Sequence, residues 1–547
     1  MRTLFNDDWY FKKFVLETDT SGKAGGLIVP KDKKIFSPDD FYEQCTAIDT
    51  CKKVEIPHDY LIYDTHNLYQ DSVGYYRKDF DISLDSSKRI FLRFEGVYQN
   101  WACYINGKKA IEWKYGYSTV EAEISAFLSE GKNRAEVICV YQSPNTRWYS
   151  GAGIFRDVYL IETAKQRIAS DGVYFSAEKD GEAWNICIKT HIDTDAEKSS
   201  VKHEIFLDDA PLTLSNVSET FETDGETKRH IFKATAQNVK VWDIESPTVY
   251  TLKTALFDDK SAVLFDKVEQ NIGFRSIFAS SDEGFFLNDR KVVLHGVCEH
   301  HDFGCLGSAF NKTALRRKFK KLKSMGVNAI RSSHNPPAPY LLDLADREGL
   351  LIIDECFDMW EKPKTTYDYG NFFADWCEKD CSAWVKRDRN HPCVIMWSIG
   401  NEIYDTNQES GLRVTKRLSE IVRKNDERKN AFITIASNYM FSDGAQECAK
   451  EIDLVGYNYL ERLYDEHHEK YKNWVIYGSE TASCIQSRGV YHFPLSNRLL
   501  TYPDGQCSSL GNCSASWGAK DSVTVALQDS LTPYTAGQFL WSGFDYI

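Results

Sequence analysis

Cys393-Val394-Ile395-Met396-Trp397-Ser398-Ile399-Gly400-Asn401-Glu402 is a mostly apolar run that ends in an Asn-Glu pair. A short run of this kind reads as a strand buried on both faces, as in a parallel sheet. A second run, Trp474-Val475-Ile476-Tyr477-Gly478-Ser479-Glu480, repeats the pattern and again ends in a glutamate. Around these two runs, from residue 278 to 547, strand signals alternate with helix signals. Eight strand candidates fall at 292–297, 327–331, 350–355, 393–399, 431–436, 453–456, 474–479 and 537–541. The helices between them show their own spacing: Leu315, Phe319, Leu322 and Met325 recur at helical intervals, and Gly326 stops the run. Eight β/α units imply a (β/α)8 barrel, with the glutamates at the carboxyl ends of its fourth and seventh strands, the face on which such barrels do chemistry. The basic run Arg316, Arg317, Lys318, Lys320, Lys321, Lys323 belongs to the polar side of the first of these helices and reads as a solvated face.

Upstream, residues 1–165 carry short β-branched and aromatic runs separated by turn residues, with Asn106-Gly107 as a hairpin signal. A β-sandwich accommodates them. Residues 166–277 alternate with period two, as in 184–189 and 250–256, which suits a second, immunoglobulin-like sandwich. The 547-residue length is too great for one core, in keeping with several domains.

A net charge of −14 argues against nucleic acid or an anionic membrane as partner. Aromatic residues make up 14% of the chain, which suits flat faces for sugar rings and β-sheet cores alike. No apolar run is long enough to span a bilayer, and the start, Met1 to Asp8, has no signal-peptide core. The 15 cysteines include no Cys-x-x-Cys pair and read as reduced thiols in a cytoplasm. Cys377 and Cys381 lie one helical turn apart with no partner pair for zinc. Because Trp541-Ser542-Gly543-Phe544-Asp545-Tyr546-Ile547 follows the eighth strand at once, the barrel is expected to lack its last helix and the chain to be a fragment of a longer protein.

These motifs resemble glycoside hydrolase family 2, the group containing bacterial β-galactosidases and β-glucuronidases, over essentially the whole chain. Ser398-Ile399-Gly400-Asn401-Glu402 is similar to the family's acid/base motif and Ser479-Glu480 to its nucleophile motif. Gly151-Ala152-Gly153-Ile154-Phe155-Arg156-Asp157-Val158 resembles the motif of its sugar-binding jelly-roll domain. Gly296-Val297-Cys298-Glu299-His300-His301-Asp302 and Arg331-Ser332-Ser333-His334-Asn335-Pro336 resemble barrel motifs that line the sugar site. Ser487-Arg488-Gly489-Val490-Tyr491 and the final residues look most like the bacterial β-galactosidase branch.

The resemblance implies a retaining exo-β-galactosidase, with Glu402 as acid then base and Glu480 as nucleophile. Those roles call for Glu402 protonated and Glu480 ionised at neutral pH. It further implies that Asn401 binds the sugar 2-hydroxyl, that His334 holds ring hydroxyls with His300, His301, Asp302 and Asn335 nearby, that Tyr459 orients Glu480, and that Trp541 forms an apolar wall. Arg147 and Trp148 either reach the site from the first domain or pack their own sandwich. Some β-galactosidases hold Mg²⁺ through a Glu-x-His pair after the third strand. Asp354-Glu355-Cys356-Phe357-Asp358-Met359-Trp360 lacks that pair, so neither metal nor cofactor is expected. The expected partner is a small or oligosaccharide β-galactoside, with homo-oligomerisation left open. Two alternatives stand: a β-glucuronidase on the same scaffold, and a non-catalytic carbohydrate-binding fragment whose barrel does not close.

Overall fold

The computed structural model describes residues 1–17, 27, 28, 35–47, 50–193, 199–224, 227–259, 261–483, 487, 489–497, 499, 503–510 and 520–547. Arg488, part of one family-like stretch, lies outside them. In the first sandwich, a seven-stranded sheet built on Ser72–Ile82 and Gly131–Tyr141 faces a four-stranded sheet built on Lys88–Phe94 and Val158–Ala164. Trp9, Tyr76, Phe94, Trp101 and Val137 are fully buried in the core. The strands Trp101–Ile105 and Lys108–Trp113 pair around Asn106 and Gly107, whose φ values of 50° and 81° are those a tight hairpin turn requires. The second sandwich has two four-stranded sheets between Arg167 and Ile272. Its alternation is visible at Leu252, Lys253 and Thr254, which are buried, exposed and buried, around a core of Trp184, Ile188, Phe232 and Phe274.

A small antiparallel sheet that the sequence reading does not anticipate comes next, from Ile277–Ser280, Gly284–Leu287 and Arg290–Lys291. Its Phe285 and Leu287 are buried in the same core as the barrel strands. At Gly284 (φ 82°) a Cβ would stand 2.4 Å from the Thr535 carbonyl oxygen, so glycine lets this sheet press on the barrel's amino-terminal end.

The barrel strands are β1 (Leu294–Glu299), β2 (Ala329–Ser332), β3 (Leu351–Glu355), β4 (Val394–Asn401), β5 (Phe432–Ser437), β6 (Leu454–Asn458), β7 (Val475–Thr481) and β8 (Gly537–Leu540). All pair in parallel, and β1 closes on β8 through Leu294↔Gly537 and its neighbours. The closed ring removes the basis for a binding-only fragment with an open barrel. Helices α1 (Lys312–Ser324), α2 (Pro339–Glu348), α3 (Phe373–Asp388), α4 (Glu409–Asn425), α5 (Asp443–Ala449), α6 (Tyr464–Lys470) and α7 (Ser522–Leu531) follow β1 to β7, and none follows β8 among the described residues. No helix among them is long and apolar enough to cross a membrane.

Helix α1 begins where Asn311 Oδ1 accepts from the Ala314 amide at 2.9 Å, and buries Leu315, Phe319 and Leu322. Met325, expected to extend that stripe, is 71% exposed, because the helix ends before it and Gly326 (φ 86°) turns the chain away. Of the basic run, Lys318 folds back onto Glu299 at 3.0 Å, and the other members are exposed.

Trp242 joins the second sandwich to the barrel. It is fully buried, and its Nε1 donates to the Asp346 carbonyl at the end of α2, 2.7 Å away. Replacing it by alanine would remove a large buried side chain and orphan that carbonyl. Trp242→Ala is expected to cost about 3–5 kcal/mol, read as a lower urea midpoint by tryptophan fluorescence and circular dichroism. An unchanged midpoint would show that this contact does not hold the domains together.

Candidate active site

Arg331, next to last in β2, is a guanidinium with no exposed surface. Its Nε and Nη2 donate to Glu355 at the end of β3, at 2.9 and 2.8 Å. Nη1 donates to Glu480 Oε1 and to the Ser479 carbonyl, both at 3.1 Å, and Nη2 also reaches Asn401 Oδ1 at 2.8 Å. Every donor direction of the fork is thereby matched to an acceptor, which a buried cation needs. Ser398 Oγ donates to Glu355 at 2.6 Å and His334 Nδ1 does so at 2.7 Å. Burial pushes the Glu355 carboxyl up, but Arg331 and His334 outweigh it and hold Glu355 ionised below its ordinary range.

Asn458, the last residue of β6, ties the two glutamates together. Its Nδ2 lies 3.3 Å from Glu402 Oε1 and 3.3 Å from Glu480 Oε2, so those oxygens are no farther apart than twice that distance. Ser479 Oγ donates to Asn458 Oδ1 at 2.6 Å and fixes the amide's orientation. Tyr459 has φ 56°, and its hydroxyl bonds Glu480, as the resemblance implies. Glu402 is likewise left-handed at φ 46°, a costly conformation that turns its carboxylate into the cavity.

The first domain supplies the remaining charge. Gly151 (φ 65°) allows its loop to lie against the barrel, where a Cβ would collide with Ser308 Oγ, and Asp59 clamps the junction by accepting from the Ala152 and Ser308 amides. Arg147 on that loop reaches Glu402 Oε2 at 2.9 Å and Asp358 Oδ1 at 2.8 Å. Lys364 also bonds Asp358, at 2.8 Å, and Asn401 Nδ2 donates to the same oxygen at 2.8 Å. Trp148 stacks on His300 with ring centres 5.0 Å apart. Both residues therefore reach the site.

These charges bias the glutamates in opposite directions. At Glu402, burial raises the carboxyl, but Arg147 and then Lys364 outweigh it and hold it below the ordinary range. At Glu480, burial dominates, and even with Arg331 beside it the carboxyl is raised, with Glu402's charge adding to the effect. The roles drawn from the resemblance require the reverse, and this arrangement leaves Glu402 base-ready.

His334 and Trp541 stack in parallel at 5.4 Å, and His300 packs on Tyr546 at 4.4 Å. His300 stays neutral, since burial and then neighbouring His334 lower it well below the usual histidine range. Other expected residues lie elsewhere. His301 Nε2 donates to the Ser150 carbonyl at 3.0 Å, with its ring between Tyr117 and Phe155 in the domain junction. Asp302 caps the turn at Gly304, and Asn335 faces a separate apolar cavity between the first domain and α1. All three follow site residues in sequence, and the turns after β1 and β2 carry them away. Asn401 lies fully buried beneath the cavity, its amide engaged by Arg331, Asn458 and Asp358. Arg331, Glu355, Asp358, Lys364, Asn458 and Tyr546 are site residues that the sequence reading does not assign. A charge closing an apolar strand, which exposed Glu402 and Glu480, is equally present at Arg331 and Glu355.

Among the described residues, one metal-ligand-like group occurs, Asp346, His391 and Cys393. It precedes β4, at the end of the barrel away from Glu402. Asp346 already accepts from His391 at 2.6 Å and from the Cys393 amide at 3.1 Å. Burial lowers His391, yet Asp346 raises it to about 9, and burial raises the Cys393 thiol, so a protonated pair faces the carboxylate and a cation does not fit.

Sequence models of glycosyl hydrolases family 2 match the chain in three parts: the sugar binding domain at 3–164, a central part at 166–275 and the TIM barrel domain at 278–508. The β-galactosidase BoGH2A of Bacteroides ovatus is 30% identical over 96% of this chain and 69% of its own length. A Formosa agariphila protein, provisionally named as a β-glucuronidase, is 27% identical over all of this chain, which spans about half of it, 52%. A β-glycosidase structure from Bacteroides vulgatus superposes with a TM-score of 0.81 at 27% identity, covering 100% of this chain and 71% of that one.

Arg147→Met removes the charge that holds Glu402 low, so the pH at which Glu402 loses its proton should rise. The alkaline limb of kcat/KM for glycoside turnover should move to higher pH, and an unmoved limb would contradict this electrostatic assignment. Arg331→Met strands two buried carboxylates and is expected to cost about 3–5 kcal/mol, read as a fall in unfolding midpoint. A midpoint equal to that of the parent would deny the guanidinium its pairing role.

Proposed function

The chain belongs to glycoside hydrolase family 2, and on that premise we propose that it is a retaining exo-glycosidase that removes terminal β-D-galactosyl groups. The observation that carries the proposal is the Asn458 bridge. Its two 3.3 Å contacts hold one oxygen of each glutamate within twice that distance of the other, which admits the separation of about 5–5.5 Å used in double displacement.

In the first step Glu480 attacks the anomeric carbon, the glycosidic C–O bond breaks, and Glu402 gives its proton to the departing oxygen. In the second step Glu402 takes a proton from water, the water oxygen bonds the anomeric carbon, and Glu480 leaves as a carboxylate. Arg331 and Tyr459 hold Glu480 in line, and the Trp541–His334 stack offers a flat face to the sugar. A glycosidic oxygen that displaces Arg147 from Glu402 would free that carboxyl to carry its proton. The free thiol state of every described cysteine fits a reducing, cytoplasmic setting.

Pairing of the deep cations favours a neutral sugar. Arg147, Arg331 and Lys364 each already face a carboxylate, which leaves them no net charge for a uronate. The glucuronidase reading keeps one observation of its own: Arg462 lines the cavity and takes part in none of the ion pairs among the described residues. Rates on paired 4-nitrophenyl β-galactoside and β-glucuronide separate the two. Galactoside is expected to be preferred, and a preference for glucuronide would overturn the sugar assignment. Glu402→Gln should slow turnover by about 10²–10⁴ and Glu480→Gln at least as much; turnover intact in both variants would refute the mechanism.

A further inference from the structure

A second cavity lies where the first domain meets the barrel, bounded by Phe155 and Arg156 on one side and by β2, α1 and the start of α2 on the other. It measures about 50 Å³, room for roughly three to five waters or one molecule of about six non-hydrogen atoms. Most of its wall is apolar, from Phe303, Phe310, Leu315, Phe319 and Leu341. Of the described residues that line the catalytic cavity, only His300 borders this one too.

The polar part of the wall is unmatched. Ser308 and Asn335 are 1% and 2% exposed, yet Ser308 Oγ and Asn335 Oδ1 have no hydrogen-bond partner. His301 Nδ1 is buried in the same condition. Burial lowers that imidazole to about 3, so it is neutral; Nε2 donates to the Ser150 carbonyl, which leaves Nδ1 as an acceptor. Buried polar atoms without partners are rare, and three meet at one small cavity.

The charge there is unmatched as well. Arg156 is fully buried and donates only to the backbone carbonyls of Glu95, Tyr117 and Pro336, at 3.4, 3.1 and 2.8 Å. Three carbonyls do not use up its fork of N–H groups. Arg331 and Arg387, equally enclosed, are paired with Glu355 and Asp388, whereas Arg156 takes part in none of the ion pairs among the described residues. The one carboxyl in the wall, Glu299, is already paired with Lys318 at 3.0 Å. Burial pushes Glu299 up to about 7, so an incoming anion meets a group that is readily neutralised.

We propose that this junction cavity is a binding site for a small hydroxycarboxylate of two or three carbons. The carboxylate supplies the counter-charge that Arg156 lacks, and the hydroxyl supplies the proton that Asn335 Oδ1 or His301 Nδ1 is placed to accept. The short carbon chain lies on the phenylalanine and leucine wall. A plain anion would leave the acceptors unmatched, a neutral diol would leave the guanidinium uncompensated, and a metal cation is opposed by Arg156 itself. The inference does not depend on which sugar the catalytic cavity takes.

The test is saturation-transfer NMR on the 547-residue chain, with lactate, propionate and propane-1,2-diol as probes. Each is titrated in the presence of saturating galactose and glucuronate, which fill the catalytic cavity and are too large for this one. Lactate is expected to bind saturably, with half-saturation about tenfold lower than for propionate, which lacks the hydroxyl, and lower still relative to the diol. Ala338→Leu, which fills the cavity from its wall, should abolish lactate binding while circular dichroism stays that of the parent. Failure of lactate to saturate, its displacement by the two sugars, or equal binding of propionate or the diol would overturn the proposal. So would undiminished lactate binding in a folded Ala338→Leu. The probe series is read on the parent chain and decides the matter even where the variant does not fold.

Discussion

A single buried guanidinium, Arg331, organises the barrel's open face. Placing a cation in a fully enclosed position is prohibitive unless its field is cancelled nearby. Glu355, Glu480, Asn401 and the Ser479 carbonyl cancel it, and in doing so they come from β3, β7 and β4 to one point. The placing of Glu402 and Glu480 follows from that constraint. Glu480 is pulled towards Arg331 on one oxygen, and its other oxygen is left for Asn458, which in turn holds Glu402.

The second layer of control comes from outside the barrel. The loop carrying Arg147 and Trp148 belongs to the first sandwich, and its approach depends on Gly151 and on the Asp59 clamp. The domains are thus coupled through chemistry as well as packing. Arg147 holds Glu402 in its ionised form, which in the proposed mechanism is the state suited to the second half of a double displacement. The first half needs that pairing broken, and an incoming glycosidic oxygen contests the same carboxylate. In the proposed mechanism this arrangement ties protonation of Glu402 to occupancy of the site.

Much of the fold was legible because the barrel strands are unbroken apolar runs ended by charge or by turn residues, and each of the eight was placed to within a few residues. Hairpin and alternation signals exposed both sandwiches. The small sheet from Ile277 to Lys291 was not, since its strands are too short to show a period and its role is to plug the barrel end. At the site, the two glutamates stood out because each closes a strand. Arg331 and Glu355 carry the same signature, but a single sequence does not say which strand-end charges meet in space. His301, Asp302 and Asn335 show the converse limit: one or two steps in sequence past a site residue, a turn sends the side chain away from the cavity. The opposite electrostatic bias of the two glutamates was out of reach, because it depends on Arg147, a residue far away in sequence.

The central claim is that Arg331 and Asn458 hold two carboxylates at the spacing of a retaining enzyme. The most direct measurement is the anomeric configuration of the sugar first released from a β-glycoside, followed by proton NMR before mutarotation. The account predicts the β-anomer first, with the α-anomer growing in later. Appearance of the α-anomer first would mean inversion, and would contradict the carboxylate spacing on which the mechanism stands.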